Sequence, residues 1–313
     1  MPTLIAIAGA CRLTDRGVIR AVGPDAGRFL QGQLTNDVLT LDSRHARLAG
    51  FCSAKGRLQA SFVVWAASGE EFLLACPTSV LASTLKRLSM FVLRAKCKLS
   101  DASEEIHLRG VAGEPADALL ADAAPWSRRD DGDDTVIRLP DAAGLRRALV
   151  ASPAGSPDVV SGDPPLSLDA WHWLEVQSGI VSIEAATVDR FVPQMVNFER
   201  VGGVDFQKGC YPGQEVVARS QYRGTTKRRT FLFDADEVPV PGQDVFAAGD
   251  PGEAAGTVAN AAPHPAGTGG SALVELRLAA LSAPALHLGA PDGPVLRRAE
   301  LPYPLLLEPE PAA

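Results

Sequence analysis

The sequence predicts an α+β protein of two or three domains, with a small β-barrel or sandwich at its C-terminal end. The chain has 313 residues, 46% of them hydrophobic, which is more than one simple domain requires. Strand-like and helix-like segments alternate through the first two thirds of the chain. After Thr225, short apolar segments alternate with glycine and proline turns, a pattern typical of small barrels and sandwiches.

The N-terminal third predicts a mixed series of strands and helices. Residues 17–38 predict a strand, a turn and a helix, with a Pro-Asp pair as the turn and N-cap. Residues 47–76 predict consecutive strands, interrupted at two glycine-containing turns. Residues 77–93 place apolar side chains at helical spacing, and residues 94–101 then predict another strand.

The middle of the chain predicts less regular structure. Residues 110–165 are rich in Ala, Asp, Gly and Pro, with a helical piece at 115–123 and a linker at 151–165. A helix is predicted to restart after Ser167, its N-cap, and to end near Gly179. The predicted strands of the last part are 228–235, 254–262 and 272–278.

Cysteine and histidine usage gives no signal for a metal site. The five cysteines have no Cys-x-x-Cys spacing, and the five histidines are equally scattered. An odd number of cysteines in a long chain disfavours a secreted disulfide framework. The N-terminal apolar segment lacks the basic region of a signal peptide, and no segment is long enough to span a bilayer. We therefore expect a cytoplasmic protein with no membrane partner and no metal site.

The charge distribution is uneven. The net charge of −7 disfavours generic nucleic-acid binding, and we expect no direct DNA binding. Residues 80–100 nevertheless carry five basic residues and no acid, and residues 208–229 carry six basic residues and one acid. Two such segments can bind an anion where they meet, although each can equally be a solvated face.

One cysteine has a distinctive context, the segment KGCYPGQEVVAR. Pro212 fits the first position of a helix, so Cys210 is predicted to lie just before a helix N-terminus, with Lys208 nearby. Both features stabilise a thiolate and lower the pKa of the thiol. Gly209 and Gly213 allow the backbone to approach a ligand closely. The alternative is a small apolar residue buried in a tight turn, but the context favours a functional thiol.

Four segments together resemble the YgfZ family, a branch of the glycine-cleavage T-protein superfamily. They are FLQGQLTNDV, AKGRL, FVPQMVNFERVGGVDFQKGCYPGQEVVAR and YRGTTKR. The resemblance covers about residues 17–229 and is most specific in KGCYPGQE. It implies a T-protein-like fold of three domains in a ring around a central channel. Its parts are ferredoxin-like α/β units and a C-terminal small β-barrel.

The resemblance also suggests a division of the chain. Residues 1–50 and 110–225 are expected to form a first α+β, folate-binding domain. Residues 51–109 are expected to form a second α+β domain, and residues 226–313 the barrel.

The function implied by the resemblance is support of iron–sulfur clusters. The ligand would be tetrahydrofolate or a one-carbon derivative, bound in the channel. The protein would help to assemble or repair clusters in a subset of enzymes, including a radical-SAM enzyme that modifies tRNA, and would matter under oxidative stress. The implied partners are folate and iron–sulfur client or assembly proteins, and the chain is expected to be a monomer.

The candidate site combines the thiol with polar residues of the same motifs. Cys210 is the candidate working thiol, and Lys208 either tunes it or solvates the turn. The arginines among the other candidates would hold a folate glutamate tail or lie in solvent, and the remaining residues would face the ligand or serve a cap or turn. The candidate folate-binding residues are Asn36, Asp37, Lys55, Gln214, Glu215, Arg219, Arg223 and Arg228.

One departure from the superfamily bears on activity. The aminomethyltransferases carry an acidic turn, and the best counterpart here is KGRLQA, with Gln59 and Ala60 at the carboxylate positions. An amide and a methyl group cannot act as a general base. Aminomethyl transfer is therefore disfavoured, although a folate-dependent one-carbon transferase remains the alternative. A second alternative is a non-catalytic RNA- or protein-binding module. The sequence leaves open whether the protein is an enzyme.

Overall fold

The computed structural model describes residues 7–156, 165–222, 226–250 and 252–305, which form three antiparallel sheets with short helices around them. The strands are β1 (Gly9–Arg12), β2 (Arg16–Val22), β3 (Ala46–Cys52), β4 (Leu58–Ser68), β5 (Glu71–Pro77), β6 (Lys98–Asp101), β7 (Ile106–Ala112), β8 (Arg128–Asp131), β9 (Asp134–Ala142), β10 (Leu145–Pro153), β11 (Arg228–Ala235), β12 (Asp244–Ala247), β13 (Gly256–Pro263), β14 (Gly270–Arg277), β15 (Leu286–Leu288) and β16 (Arg297–Ala299). The α-helices are α1 (Ala26–Gln31), α2 (Thr78–Val92), α3 (Glu114–Leu120), α4 (Leu168–Gln177) and α5 (Gln214–Tyr222).

The first sheet has the strand order β3-β4-β5-β2-β6, and α1 and α2 pack against it. Helix α2 buries Val80, Leu81, Thr84 and Leu88, the apolar stripe that its periodicity predicts. These side chains pack on the strands in a core that includes Phe62. The expected succession of strand, helix and strand is confirmed in this part of the chain.

The second sheet has the order β1-β7-β10-β9-β8, with α3 packed on it. The helical piece predicted at 115–123 is confirmed by α3. Strands β8 to β10 lie within residues 128–153, where the sequence predicted no strand, and β10 overlaps the predicted linker at residues 151–153. Gly132 and Gly144, at φ values of +62° and +75°, form tight hairpin turns between these strands. The turn-rich composition of this region made its strands difficult to recognise from the sequence. Part of the predicted linker, residues 157–164, lies outside the described residues.

The third sheet is the six-stranded half-barrel β15-β12-β13-β14-β11-β16, which encloses its own apolar core. It confirms the expected strand-rich C-terminal part. Together with the first two sheets and their helices, it also confirms the α+β class. Helix α4 packs against β13 and β14 and also contacts β1 and β9 of the second sheet. Ser167 caps α4 as predicted, because its side chain accepts a hydrogen bond from the backbone N–H of Ala170 at 3.1 Å.

Two helix starts differ from expectation. Asp25 occupies the N-cap position of α1 as predicted, but its carboxylate makes no cap bond to the helix and instead accepts a hydrogen bond from the N–H of Lys96 at 2.8 Å. Helix α5 begins at Gln214, whereas Pro212 was predicted as its first residue. Gly213 separates the two with φ of +77°, a left-handed conformation that no helix interior accepts.

Sheet pairing groups the chain differently from the expected domain division. Strand β3 extends across residue 50, and β2 and β3 pair with β4, β5 and β6 in one sheet. Residues 16–50 thus share a sheet with much of the 51–109 segment. The division into domains stays a prediction, because strand pairing does not measure which segments fold independently.

Candidate functional site

The turn that carries Cys210 is tied to the end of helix α1. The ammonium Nζ of Lys208 donates hydrogen bonds to the carbonyl oxygens of Gln31 and Leu34, the latter at 2.5 Å. The hydroxyl of Thr35 donates to the carbonyl of Gly203 at 2.6 Å. Two of the four motifs, separated by more than 160 residues, are therefore joined through buried hydrogen bonds.

A third motif packs against the same turn from another side. A Cβ placed on Gly213 would lie 2.4 Å from the carbonyl oxygen of Ser53 and 2.5 Å from the Cα of Gly56. A Cβ on Gly56 would lie 2.8 Å from the side chain of Val216. The AKGR and PGQE segments therefore touch backbone to backbone. Both glycines also have positive φ, a conformation that favours glycine. Two other motifs thus fix the position of the turn that carries Cys210.

Cys210 is exposed to solvent on this turn, unlike the other cysteines, which all lie in the described part of the chain. Cys11, Cys52 and Cys76 are buried, and burial raises the pKa of each thiol to about 12. Cys97 is half-buried, and its pKa is raised for the same reason. A thiol with a raised pKa and no access to solvent is inert, so the structure leaves Cys210 as the accessible thiol.

Lys208 is buried in this turn, with only 8% of its surface exposed, which is unusual for a lysine. Burial lowers the pKa of its ammonium to about 8, although Asp37, Asp205 and Cys210 favour the charged form. The ammonium also lies 5.1 Å from the ring centroid of Tyr211. Lys208 therefore holds the motifs together, and the role of tuning the thiol stays a prediction.

The candidate folate residues near α1 stabilise the local backbone. The side-chain amide of Asn36 donates to the carbonyls of Leu48 at 2.8 Å and Gly202 at 2.6 Å. The carboxylate of Asp37 accepts hydrogen bonds from the Leu39 N–H and from the Thr40 hydroxyl. Both residues serve the turn after α1, and their contact with folate stays a prediction.

The remaining candidates lie at or near the surface. Glu215 and Arg219 form an exposed ion pair on α5 at 2.9 Å, and Lys55 is exposed in its turn. Arg228 forms a two-pronged ion pair with the buried carboxylate of Glu275 in the half-barrel. Gln214 is half-buried at the start of α5, and Arg223 lies outside the described residues. Their assignment to folate also stays a prediction.

A separate cavity of about 90 Å³ lies between the first and second sheets and helix α4. None of the described candidate residues lines it. Its walls are mainly apolar, and its polar members include the side chains of Arg16, Arg147 and Glu175. No sequence motif pointed to these residues, because they come from β2, β10 and α4, which are far apart in the chain.

Arg147 is buried in the wall of this cavity without a carboxylate in hydrogen-bonding contact. It is 2% exposed, and burial lowers the pKa of its guanidinium to about 10. Its Nε and Nη2 donate to the carbonyl of Pro140 at 3.2 and 3.1 Å, while Nη1 has no hydrogen-bond partner among the described residues. The guanidinium lies 5.4 Å from the ring centroid of Trp171, whose indole N–H is also without a described partner.

Glu175 supplies the opposite charge in the same cavity. Its carboxylate accepts a hydrogen bond from Arg16 at 2.5 Å, and Arg16 also donates to the Ser182 hydroxyl at 2.8 Å. Asp15 beside them accepts from His172 at 3.0 Å, which raises the pKa of that imidazole despite its burial. The cavity therefore offers a carboxylate, unpaired N–H donors and an aromatic surface to a planar, polar ligand.

Two classes of feature are absent from the part of the chain that the structure describes. No group of three or more His, Cys, Asp or Glu side chains is arranged to hold a metal ion. No helix there is long and apolar enough to cross a membrane.

Comparison with solved structures agrees with the predicted fold class. The glycine cleavage system aminomethyltransferase T from Bartonella henselae superimposes with a TM-score of 0.67, over 93% of this chain and 84% of its own. The sequence identity is 14%, so the likeness concerns the fold. The expectation of a T-protein-like α+β fold is confirmed.

Comparison with known sequences identifies the relatives. No protein-family model matches the chain. The tRNA-modifying protein YgfZ of Photorhabdus laumondii is 32% identical over 79% of this chain and 78% of its own length. That of Edwardsiella ictaluri is 34% identical with the same coverage, and that of Colwellia psychrerythraea is 28% identical over 95% of this chain. With this identity and coverage, added to the motifs that meet around Cys210, the chain belongs to the YgfZ family.

Proposed function

We propose that this protein binds a reduced folate and supports the assembly or repair of iron–sulfur clusters in client enzymes, with Cys210 as its working thiol. The observation that carries the proposal is the exposed thiol on a turn that two distant motifs hold in place. Core packing does not need an exposed cysteine, so this support is best explained by a function of the thiol. The relatives are named tRNA-modifying proteins, and a client that modifies tRNA agrees with that name.

A thiolate on such a turn suits soft metal chemistry. Thiolates are the preferred protein ligands of iron in clusters, and the iron here would be cargo shared with a partner. No other His, Cys, Asp or Glu cluster among the described residues offers a complete set of ligands. One exposed thiol can complete a coordination sphere that a partner protein begins.

The cavity residues fit the chemistry of a folate. The pterin ring is planar and carries both donors and acceptors, and Glu175, Arg16 and Arg147 offer the complementary groups beside Trp171. The Nη1 of Arg147 would gain a hydrogen bond that no described residue supplies. The volume of about 90 Å³ is smaller than that of typical ligand pockets, so entry of the ring requires lining side chains to move. Bound folate would supply a carrier for one-carbon units.

The proposed folate site and the thiol are distinct but linked. Leu48 lines the cavity, and its carbonyl accepts from Asn36, whose amide also holds Gly202 just before the cysteine turn. Cys210 is not part of the cavity wall. We therefore propose that folate acts through β3 on the position of the turn, and not by direct contact with the thiol.

Calorimetry with tetrahydrofolate tests this proposal with three forms of the protein. Wild type should bind saturably, and Arg147→Met should bind about tenfold more weakly, since it loses a charged hydrogen bond of at least about 1.4 kcal/mol. Cys210→Ala should bind folate as wild type does and yet fail to support iron–sulfur enzymes in cells lacking the native protein. Absence of binding at millimolar folate would refute the folate site. Full support by Cys210→Ala would refute the role of the thiol.

A further inference from the structure

A second surface feature lies at the C-terminal end of helix α2. The side chains of Met90, Phe91 and Leu93 are 68%, 41% and 87% exposed, although each is large and apolar. They follow one another within four positions, whereas single exposed apolar residues are ordinary on protein surfaces. We call these three residues the apolar tip.

The backbone is strained at Leu93, the last residue of the apolar tip. Leu93 has φ of +43°, a conformation that favours glycine and strains a residue with a larger side chain. The aliphatic side chain of this strained residue is also exposed to water. Packing within the chain does not explain this arrangement, because Leu93 is almost wholly exposed.

The segment that carries the tip is also basic. Lys86 and Arg87 lie one helical turn before Met90 and Phe91, on the same exposed side of α2. All five basic residues of this segment are exposed, and none forms an ion pair with another described residue. They are Lys86, Arg87, Arg94, Lys96 and Lys98. An acidic protein thus carries a local positive surface around an apolar tip.

Helix α1 connects this segment with the cysteine turn. The N–H of Lys96 is bonded to Asp25 at the start of α1, while Lys208 holds the other end of α1. The helix has six residues, so about 9 Å separate its ends. Arg28 and Leu39 are exposed along the way. A standard protein interface buries about 800 Å² on each partner, so a docked protein covers more than the tip alone.

We propose that the apolar tip and its cations are the docking surface for an acidic protein partner, one that accepts Leu93 in an apolar recess and meets Cys210 at the far end of α1. The inference rests on the proposed function, since the partner would be a client or carrier of the thiol. Charge complementarity selects an acidic face, and the apolar side chains favour a protein over RNA, whose recognition uses aromatic stacking and phosphate contacts. The connection through α1 to the turn of the proposed working thiol favours a protein client over a lipid surface.

Photo-crosslinking in cells tests the proposal. A benzoylphenylalanine replaces Leu93 in the full chain, in cells that lack the native copy, and the same group at Val240 is the control. Val240 is 61% exposed in the half-barrel part of the chain. We expect a protein adduct from position 93 and none from position 240, with more Asp and Glu than Lys and Arg in the crosslinked peptide. Arg94→Glu combined with Lys96→Glu should reduce the adduct at least fivefold.

The outcomes separate this inference from the proposed function. The charge-reversed protein should bind tetrahydrofolate and react at Cys210 with alkylating reagents as before, so a loss of its function in cells would report docking alone. Leu93→Gly relieves the backbone strain and should fold normally while forming a weaker complex with the captured partner. A nuclease-sensitive adduct, a lipid adduct, a peptide without acidic excess or no adduct above the Val240 control would each overturn the docking proposal.

Discussion

The two glycines that flank Cys210 should respond very differently to the same substitution. A Cβ at position 213 would enter contact distances of 2.4–2.5 Å with Ser53 and Gly56, and the backbone there has φ of +77°. A Cβ at position 209 would meet nothing within 4 Å. Gly213→Ala therefore tests whether the motif contacts hold the turn, and Gly209→Ala is the matched control.

The magnitude follows from two costs. A left-handed conformation costs a residue with a Cβ about 1–2 kcal/mol, and overpacking against backbone atoms costs about 1–3 kcal/mol. Gly213→Ala should thus lower the free energy of unfolding by about 2–5 kcal/mol, a large part of the 5–15 kcal/mol typical of proteins. Gly209→Ala should change it by less than about 0.5 kcal/mol.

Urea unfolding followed by circular dichroism measures both variants, and hydrogen exchange in residues 53–58 reports whether the loss is local. A lower free energy of unfolding for Gly213→Ala, together with faster hydrogen exchange in residues 53–58, would confirm the contact between Gly213 and Gly56. If Gly213→Ala is as stable as Gly209→Ala, the AKGR and PGQE segments do not pack as described.

Three further predictions concern reactivity, pH and activity. Alkylation with mass mapping at neutral pH should label Cys210 before any other thiol, since burial raises the pKa of the other four; labelling of a buried cysteine at a similar rate would contradict this. Burial lowers the pKa of Lys208 to about 8 in the folded protein. Between about pH 8 and 10.5 the unfolded chain therefore binds more protons at this residue than the folded protein does. The free energy of unfolding accordingly increases as the pH rises through this range. Wild type should accordingly gain about 1 kcal/mol per pH unit relative to Lys208→Met in that range, and a pH-independent difference would show that the ammonium is not desolvated. An assay with lipoyl carrier protein and tetrahydrofolate should give only background aminomethyl transfer, because Gln59 and Ala60 replace the acidic turn; turnover at ordinary enzyme rates would disprove that reading.

Local signals in the sequence were reliable where local physics decides the structure. The apolar stripe of α2 and the Ser167 cap of α4 follow from helical spacing and one short hydrogen bond, and both are as predicted. The glycine and proline turns after Thr225 likewise marked the half-barrel. Between residues 110 and 165, the helical piece was predicted correctly, but frequent hairpin turns gave the segment a composition in which strands β8 to β10 were not recognised.

The sequence by itself determined the α+β class and the family, since both rest on residues that are neighbours in the chain. It also singled out the Cys210 segment, whose functional role stays a prediction. Only the tertiary structure decided what Lys208 does, because its partner Leu34 lies 174 residues away. It also decided that Gly213 is required by packing while Gly209 is not. The sequence did not predict the cavity lined by Arg16, Arg147 and Glu175, because these residues are also far apart in the chain. Periodicity and capping fix the local backbone, whereas contacts between distant strands depend on register and on how the sheets pack.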